Sequence, residues 1–276
     1  MSTLRSESQS IIEVTDLTTH YGSRKILNGI SLTVNKGEIM VIMGGSGSGK
    51  STLLRHLIGL EHPTSGGIKL LGQDIGLMTE QEMTQFYRKL GVAFQGGALF
   101  SSMTVGENIM LPLREHTKLD HKTMEIMARL KLEVVNLAGF ENLMPSELSG
   151  GMLKRAAFAR AVIMDPVLLF CDEPSAGLDP VVSSSLDELI LRLRDALDMT
   201  IVVVTHELES AFRIADRLTV LDKGDILTIG TVDEVRASNN QRIQDLLNRH
   251  FEEEMLDPDE YLARLTGEPQ ETLIHA

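Results

Sequence analysis

The sequence predicts an α/β protein built on a parallel sheet with a glycine-rich loop at one edge, and three stretches carry that expectation. In the first, the apolar, β-branched run Ile39-Met40-Val41-Ile42-Met43 stops at a glycine cluster, after which Leu53, Leu54, Leu57 and Ile58 recur at helical spacing. In the second, Val167-Leu168-Leu169-Phe170-Cys171 ends in Asp172 and Glu173, as a buried parallel strand does where a sheet places ligand groups. In the third, Thr200-Ile201-Val202-Val203-Val204-Thr205 is followed at once by His206. Helical patterns lie between these runs, the alternation expected of a doubly wound sheet.

On the join of the first strand and its helix, Gly44-x-x-x-x-Gly49-Lys50-Ser51 fits the phosphate-binding P-loop pattern. Glycines let the backbone bring its N–H groups up to a polyphosphate, and the positive end of the following helix favours the anion. Gly44, Gly45, Ser46, Gly47, Ser48, Gly49, Lys50, Ser51 and Thr52 are the expected nucleotide contacts. Lys50 can reach the β- and γ-phosphates, and the Ser51 hydroxyl can hold Mg²⁺. The alternative is a glycine-rich turn that binds nothing, which the strand before and the helix after disfavour.

At 276 residues the chain has length for one large domain, or one domain plus appendages. Its formal net charge of −13 argues against nucleic acid as a partner, because that binding rests on clustered Lys and Arg. The sole cysteine, Cys171, stands inside an apolar run, which predicts a buried structural thiol and excludes an internal disulfide. Residues 1–10 are polar and lack the apolar segment of a secretory signal, and no apolar run approaches the ~18 residues of a membrane span. A cytoplasmic protein that meets a membrane only through a partner is expected.

Taken in order, residues 11–36 alternate apolar and polar in short runs (Ile12, Val14, Leu17, then Ile26, Leu27, Ile30, Leu32, Val34), with turn residues at Tyr21-Gly22-Ser23 and Asn35-Lys36-Gly37. That pattern predicts antiparallel strands leading into the P-loop strand. Tyr21 could stack on an adenine ring; the alternative is a turn tyrosine at the sheet margin. Beyond the P-loop helix, Pro63 to Gly67 breaks the chain, Ile68 to Gly72 is hairpin-like, and a polar helical stretch runs to Lys89. A strand Val92-Ala93-Phe94 then ends at Gln95, whose amide could sense the γ-phosphate, Mg²⁺ or the attacking water, or simply be solvated.

Val105 to Leu111, Lys122 to Lys131 and Glu133 to Ala138 read as helices, interrupted by Pro112 and Gly139 and closed by Pro145. A helical insertion is therefore expected at about residues 100–165. Near its end, Leu148-Ser149-Gly150-Gly151-Met152 leads into a helix from Leu153 to Met164, with Ser149 as N-cap. This is either a second anion-binding helix terminus or an ordinary capped helix. Further on, Asp172 suits Mg²⁺ and Glu173 suits polarising the water that attacks a γ-phosphate, the alternative being a structural capping pair. The loop Ser175 to Pro180 precedes a helix from Val181 to Leu197. His206 ends the next strand at the same edge as Asp172 and Gln95, where a γ-phosphate hydrogen bond is the better reading. Leu218 to Leu221 and Asp225 to Ile229 are the last strands.

From about Asn239 the composition changes. Ile243, Leu246 and Leu247 make an amphipathic helix, and residues 251–276 carry eight acidic side chains against Arg264. That tail is either a solvated acidic end or a docked helix built on Tyr261, Leu262 and Leu265. The expected organisation is a polar segment 1–10, a nucleotide-binding domain 11–238 and an extension 239–276.

Five motifs in one order (Gly44 to Ser51, Gln95, Leu148 to Met152, Val167 to Glu173, His206) resemble the ATP-binding cassette (ABC) ATPase family over about residues 10–235. The resemblance implies a P-loop NTPase: a RecA-like α/β core, an antiparallel β subdomain and a helical subdomain holding the Leu-Ser-Gly-Gly signature. It implies ATP and Mg²⁺, and a head-to-tail homodimer. Each ATP would lie between Lys50, Ser51, Gln95, Asp172, Glu173 and His206 of one chain and Ser149, Gly150 and Gly151 of the other. On this resemblance Glu173, His206, Gln95 and Lys50 serve catalysis, Ser51, Gln95 and Asp172 hold Mg²⁺, Tyr21 stacks on adenine and the Asp179 loop crosses the dimer interface. Met152 stands where the family usually has Gln. Hydrolysis is expected to survive, because backbone amides and Ser149 carry the phosphate contacts.

A narrower resemblance rests on Gln95-Gly96-Gly97-Ala98-Leu99-Phe100, Pro112 to Thr117 and Met144 to Glu147. These stretches are similar to the ATPases of the Mla (maintenance of lipid asymmetry) phospholipid transporters. That implies phospholipid trafficking between inner and outer membranes, with the chain peripheral on the cytoplasmic face of the inner membrane. It also implies an integral-membrane permease, a periplasmic MCE-domain protein and a cytoplasmic STAS-domain partner. The alternative is the ATPase of an importer for a polar solute such as an amino acid, which the catalytic motifs do not separate from the first. A DNA- or ribosome-acting relative would bring a coiled-coil insertion or two cassettes, and a cassette that only binds ATP would not keep Lys50, Asp172, Glu173 and His206 together.

Overall fold

A computed structural model describes residues 9–248, in two units divided after Ser238. The alternating runs of the first unit form a long hairpin, β1 (Ser10–Tyr21) and β2 (Arg24–Asn35), that turns at Gly22 and Ser23. β3 (Ile39–Met43) follows, buried at every position, and passes through the glycine loop into α1 (Lys50–Leu57). β4 (Ser65–Leu70) and β5 (Gln73–Asp74) widen the hairpin into an antiparallel sheet of order β2-β1-β4-β5. α2 (Glu80–Phe86), opened by a capping box between Thr79 and Glu82, precedes β6 (Leu90–Ala93).

Three helices come next, α3 (Val105–His116), α4 (His121–Val134) and α5 (Gly150–Ala161), packed on one another. Several boundaries depart from the sequence reading: β6 covers Leu90–Ala93 in place of Val92 to Phe94, α5 covers Gly150–Ala161 in place of Leu153 to Met164, and two further departures have a local cause. α3 runs through Pro112 instead of stopping there, because Ile109 and Leu113 are buried on either side and their packing offsets the one backbone bond that proline removes. Glu133 to Ala138 is not a helix of its own: α4 continues to Val134, and Asn136 then turns left-handed at φ 60°, a conformation asparagine accepts at helix ends.

The chain then alternates strand and helix through β7 (Leu168–Asp172), α6 (Pro180–Leu197), β8 (Thr200–Thr205), α7 (Leu208–Ile214), β9 (Arg217–Asp222), β10 (Asp225–Gly230) and α8 (Val232–Arg236). The second sheet has the order β10-β9-β3-β8-β7-β6 and is parallel except for β10. Its register pairs Met43 with Thr205, Val204 with Asp172, and Cys171 with Ala93. The segments leaving β3, β8, β7 and β6 therefore open at one edge.

Ile42, Leu53, Leu57, Phe170 and Val202 share a core with Ile12, Leu27 and Val34 of the antiparallel sheet. The alternate positions Ile39, Val41, Leu169, Ile201 and Val203 are also fully buried, so the parallel sheet is covered on both faces. Cys171 is buried there, and desolvation pushes its thiol well above the usual range. Among the described residues no helix is long and apolar enough to cross a membrane.

The described part of the second unit is α9 (Gln241–Leu247), capped by Asn240, on which Ile243, Leu246 and Leu247 fall. The acidic run 251–276, with Tyr261, Leu262 and Leu265, lies outside the described residues.

Candidate functional site

The loop between β3 and α1 is shaped by main-chain crowding. A Cβ on Gly44 would stand 2.1 Å from the Leu221 carbonyl oxygen, and Gly49 holds φ 103° with Leu27 2.7 Å from where its Cβ would be. A side chain at Gly44 would collide with backbone, and one at Gly49 would crowd the Leu27 side chain in a left-handed conformation that only glycine adopts readily. Lys50 folds over the loop, its Nζ donating to the carbonyls of Gly44 (2.8 Å) and Gly45 (2.9 Å). Burial lowers its pKa, against the pull of Glu173 and Asp172. The Ser48 hydroxyl is buried in the loop with no hydrogen-bond partner among the described residues. Ser46, Gly47 and Ser51 are exposed, and Thr52 is buried on the first turn of α1.

At the end of β7, Asp172 is half-buried, and desolvation followed by repulsion from Glu173 raises its pKa, with Arg55 and Lys50 opposing. Glu173 has a left-handed backbone, φ 46°, which costs of order 1 kcal/mol or more for a residue other than glycine. The surroundings hold it there. Its N–H donates to Val204 O at 2.8 Å. Its carboxylate accepts from Thr205 Oγ1 (3.1 Å), pairs with His206 Nδ1 (2.9 Å) and receives the His206 N–H at 3.4 Å. His206 is thus turned onto Glu173, with its Nε2 3.6 Å from Glu207. Gln95, two residues past β6, is exposed at the same edge.

Tyr21 ends β1 and is 46% exposed. Its hydroxyl donates to Glu61 at 2.5 Å, and Arg55 of α1 reaches the other oxygen of that carboxylate at 3.2 Å. These bonds, that from Tyr21 above all, hold the Glu61 carboxyl below its ordinary range. The tyrosine ring is thereby tied to the helix that carries the P-loop.

The structure brings the P-loop, Gln95, Asp172, Glu173 and His206 to one sheet edge. It seats the signature turn elsewhere. Ser149 caps α5 by accepting from Met152 N at 3.3 Å, and Gly150 and Gly151 lie against Leu178 and Val182, in a different neighbourhood from the Leu27 and Leu221 that border the P-loop. Asp179 caps α6, accepting from Val181 and Val182. One chain therefore presents two separate glycine-rich helix starts, at α1 and at α5.

Some members of the site were not picked out from the sequence. Thr205 had a visible signal, a hydroxyl closing an apolar run one residue before His206. Arg55, Glu61 and Lys154 had none, since each acts through a contact between distant elements.

Among the described residues no cluster of three or more His, Cys, Asp or Glu forms a metal cage. The Ser51 hydroxyl, the Gln95 amide and the Asp172 carboxylate are the oxygen donors at this edge that could hold a hard cation completed by phosphates and water. The orphaned Ser48 hydroxyl, the Lys50 ammonium held over the loop and an Asp172 whose burial Arg55 and Lys50 only partly offset all fit a polyphosphate with its cation.

Residues 27–176, more than half of the chain, match the ABC transporter family. The intermembrane phospholipid transport system ATP-binding protein MlaF of Haemophilus influenzae is 40% identical over 240 residues, 87% of this chain and 91% of that one. MlaF of Escherichia coli K12 is 40% identical over 239 residues, covering 87% and 89%. The probable ribonucleotide transport ATP-binding protein mkl of Mycobacterium tuberculosis is also 40% identical, over 86% of this chain but 66% of that one. Among solved structures, the ATP-binding cassette MJ0796, dimeric and bound to ADP and Pi, superposes with a TM-score of 0.74 at 29% identity over 80% of this chain and 98% of its own. The cbiO1 protein of Clostridium perfringens gives 0.77 at 27% identity, over 93% and 99%.

Proposed function

Since this chain belongs to the ABC transporter family of ATP-hydrolysing proteins, we propose that it powers phospholipid transport between two membranes, as a head-to-tail homodimer docked on a membrane permease. The observation that carries the lipid half is the likeness to the MlaF proteins, which runs over about nine tenths of their length. A periplasmic MCE-domain protein and a cytoplasmic STAS-domain protein complete the proposed complex, and the chain sits on the cytoplasmic face of the inner membrane.

In the proposed cycle ATP lies between the P-loop edge of one chain and Ser149, Gly150 and Gly151 of its partner. Lys50 exchanges the carbonyls of Gly44 and Gly45 for the β- and γ-phosphates. Ser51, Asp172 and Gln95 would hold Mg²⁺, which when bound neutralises phosphate charge. Glu173, held between Thr205 and His206, orients and polarises the attacking water. Tyr21 stacks on the adenine. Nucleotide binding closes the dimer and pulls on the permease, and hydrolysis reopens it.

Transport of a polar solute is the second reading, favoured by the equal identity to mkl. Extraction of the tagged chain from native membranes in mild detergent, followed by mass spectrometry of co-purifying proteins and lipids, separates the two. A permease with an MCE-domain protein and bound phospholipid is the expected result. A permease with a solute-binding protein and no lipid would overturn the lipid reading and leave the ATPase intact.

A further inference from the structure

Lys154 lies on α5, about one turn beyond the signature, yet its ammonium reaches the chain that leaves β7. Its Nζ donates to the carbonyl oxygens of Ala176 at 2.7 Å and Glu173 at 3.3 Å. The same turn is closed by the Ala176 N–H donating to Glu173 O at 3.3 Å. One compact cation with three donors thus bridges both ends of the turn that follows Glu173. The side chain is half-buried, and desolvation lowers its pKa, opposed by the charge of Glu173. The Glu173 backbone is left-handed, so the direction of its carboxylate depends on how this turn is held.

The carboxylate end of Glu173 is fixed from β8, through Thr205 and His206. The carbonyl end is fixed from α5, the helix whose first residues are Gly150 and Gly151. In a head-to-tail dimer those two glycines face the nucleotide of the partner's P-loop, whereas Glu173 faces the chain's own nucleotide. We propose that Lys154 is a positioning residue that ties the signature helix to the main chain of Glu173, so that engagement of one nucleotide sets the aim of the carboxylate at the other. The inference rests on Glu173 being the group that polarises water.

The test uses the full-length chain. Lys154→Met keeps the aliphatic stem and removes the donors. Its kcat for ATP hydrolysis is expected to fall about ten- to a hundredfold, the scale of a displaced reacting group, with KM within about twofold and the Hill coefficient falling toward one. Lys154→Arg, which keeps donors, should recover most of the rate. Should the Met chain not fold, Lys154→Gln carries the test: its shorter amide cannot span both carbonyls, and kcat should drop roughly three- to tenfold at unchanged KM. Wild-type kcat and Hill coefficient in Lys154→Met, or equal losses in Lys154→Met and Lys154→Arg, would overturn the tie. Glu173→Gln assayed alongside separates the two readings. If it is inactive while Lys154→Met is unimpaired, the tie alone fails; if it turns over normally, the reading of Glu173 fails and the tie with it.

Discussion

Glu173 combines a disfavoured backbone with a carboxylate held from two directions, and its replacement by Gln keeps the shape while removing the base proposed above. Glu173→Gln is expected to bind ATP normally and to lose about 10²- to 10⁴-fold in turnover, with the ATP-bound dimer accumulating on size-exclusion chromatography. Its neighbour Asp172 presents a conflict between stability and function. Burial and Glu173 raise its pKa, so the folded state binds the proton more tightly than the unfolded chain. Stability then falls as pH rises from the ordinary carboxylate range through the raised value. Asp172→Asn should abolish Mg²⁺-dependent hydrolysis yet raise the apparent Tm at neutral pH and flatten its fall with rising pH above the ordinary carboxylate range, the stability change being readable by thermal denaturation without nucleotide. At Tyr21 the proposed stacking of the ring and the hydroxyl bond to Glu61 separate cleanly. Tyr21→Ala should weaken ATP binding about five- to a hundredfold, the range of aromatic–base stacking, whereas Tyr21→Phe should stay within a few-fold by isothermal titration.

Helix starts are the element on which both halves of the site depend. Ser149 caps α5, so Ser149→Ala should cost about 1 kcal/mol of stability and, if the signature touches nucleotide, lose far more activity than that loss of stability explains. Met152 contributes its N–H to this cap, so Met152→Gln should change turnover by less than about threefold, because hydrogen bonds of the main chain survive a change of side chain. The strands were the most legible elements: β8 spans Thr200–Thr205 as its β-branched run indicates, since an apolar run between polar boundaries has no other place to go. Pro112 and the stretch Glu133 to Ala138 misled because local signals there were overridden, by the packing of α3 in one case and by a left-handed Asn136 in the other. The P-loop, Asp172, Glu173 and His206 could be read individually. Their common edge was expected as well, because each follows the end of an apolar strand, but the register that aligns β3, β8 and β7 was not legible, and the bonds of Lys154 to main-chain carbonyls leave no trace in side-chain identity at all.

At the scale of the whole molecule, β3 is the first strand of the parallel sheet in the sequence but lies between two that come near the end of the described fold. Met40 pairs with Val202 on one side and Arg217 on the other, and Gly44 packs against the Leu221 carbonyl. Contacts so distant along the chain form late and slow the search for the native state. During synthesis the complete Gly44 to Ser51 motif therefore leaves the ribosome with neither neighbour of its strand yet made. A chain ending at residue 200 contains the P-loop, Asp172, Glu173 and the signature, yet it should show no measurable ATP binding by equilibrium dialysis, whereas one ending at 238 should bind. On that expectation the earliest of the motifs to be translated gains its grip on nucleotide only after β8 and β9 have paired on either side of β3.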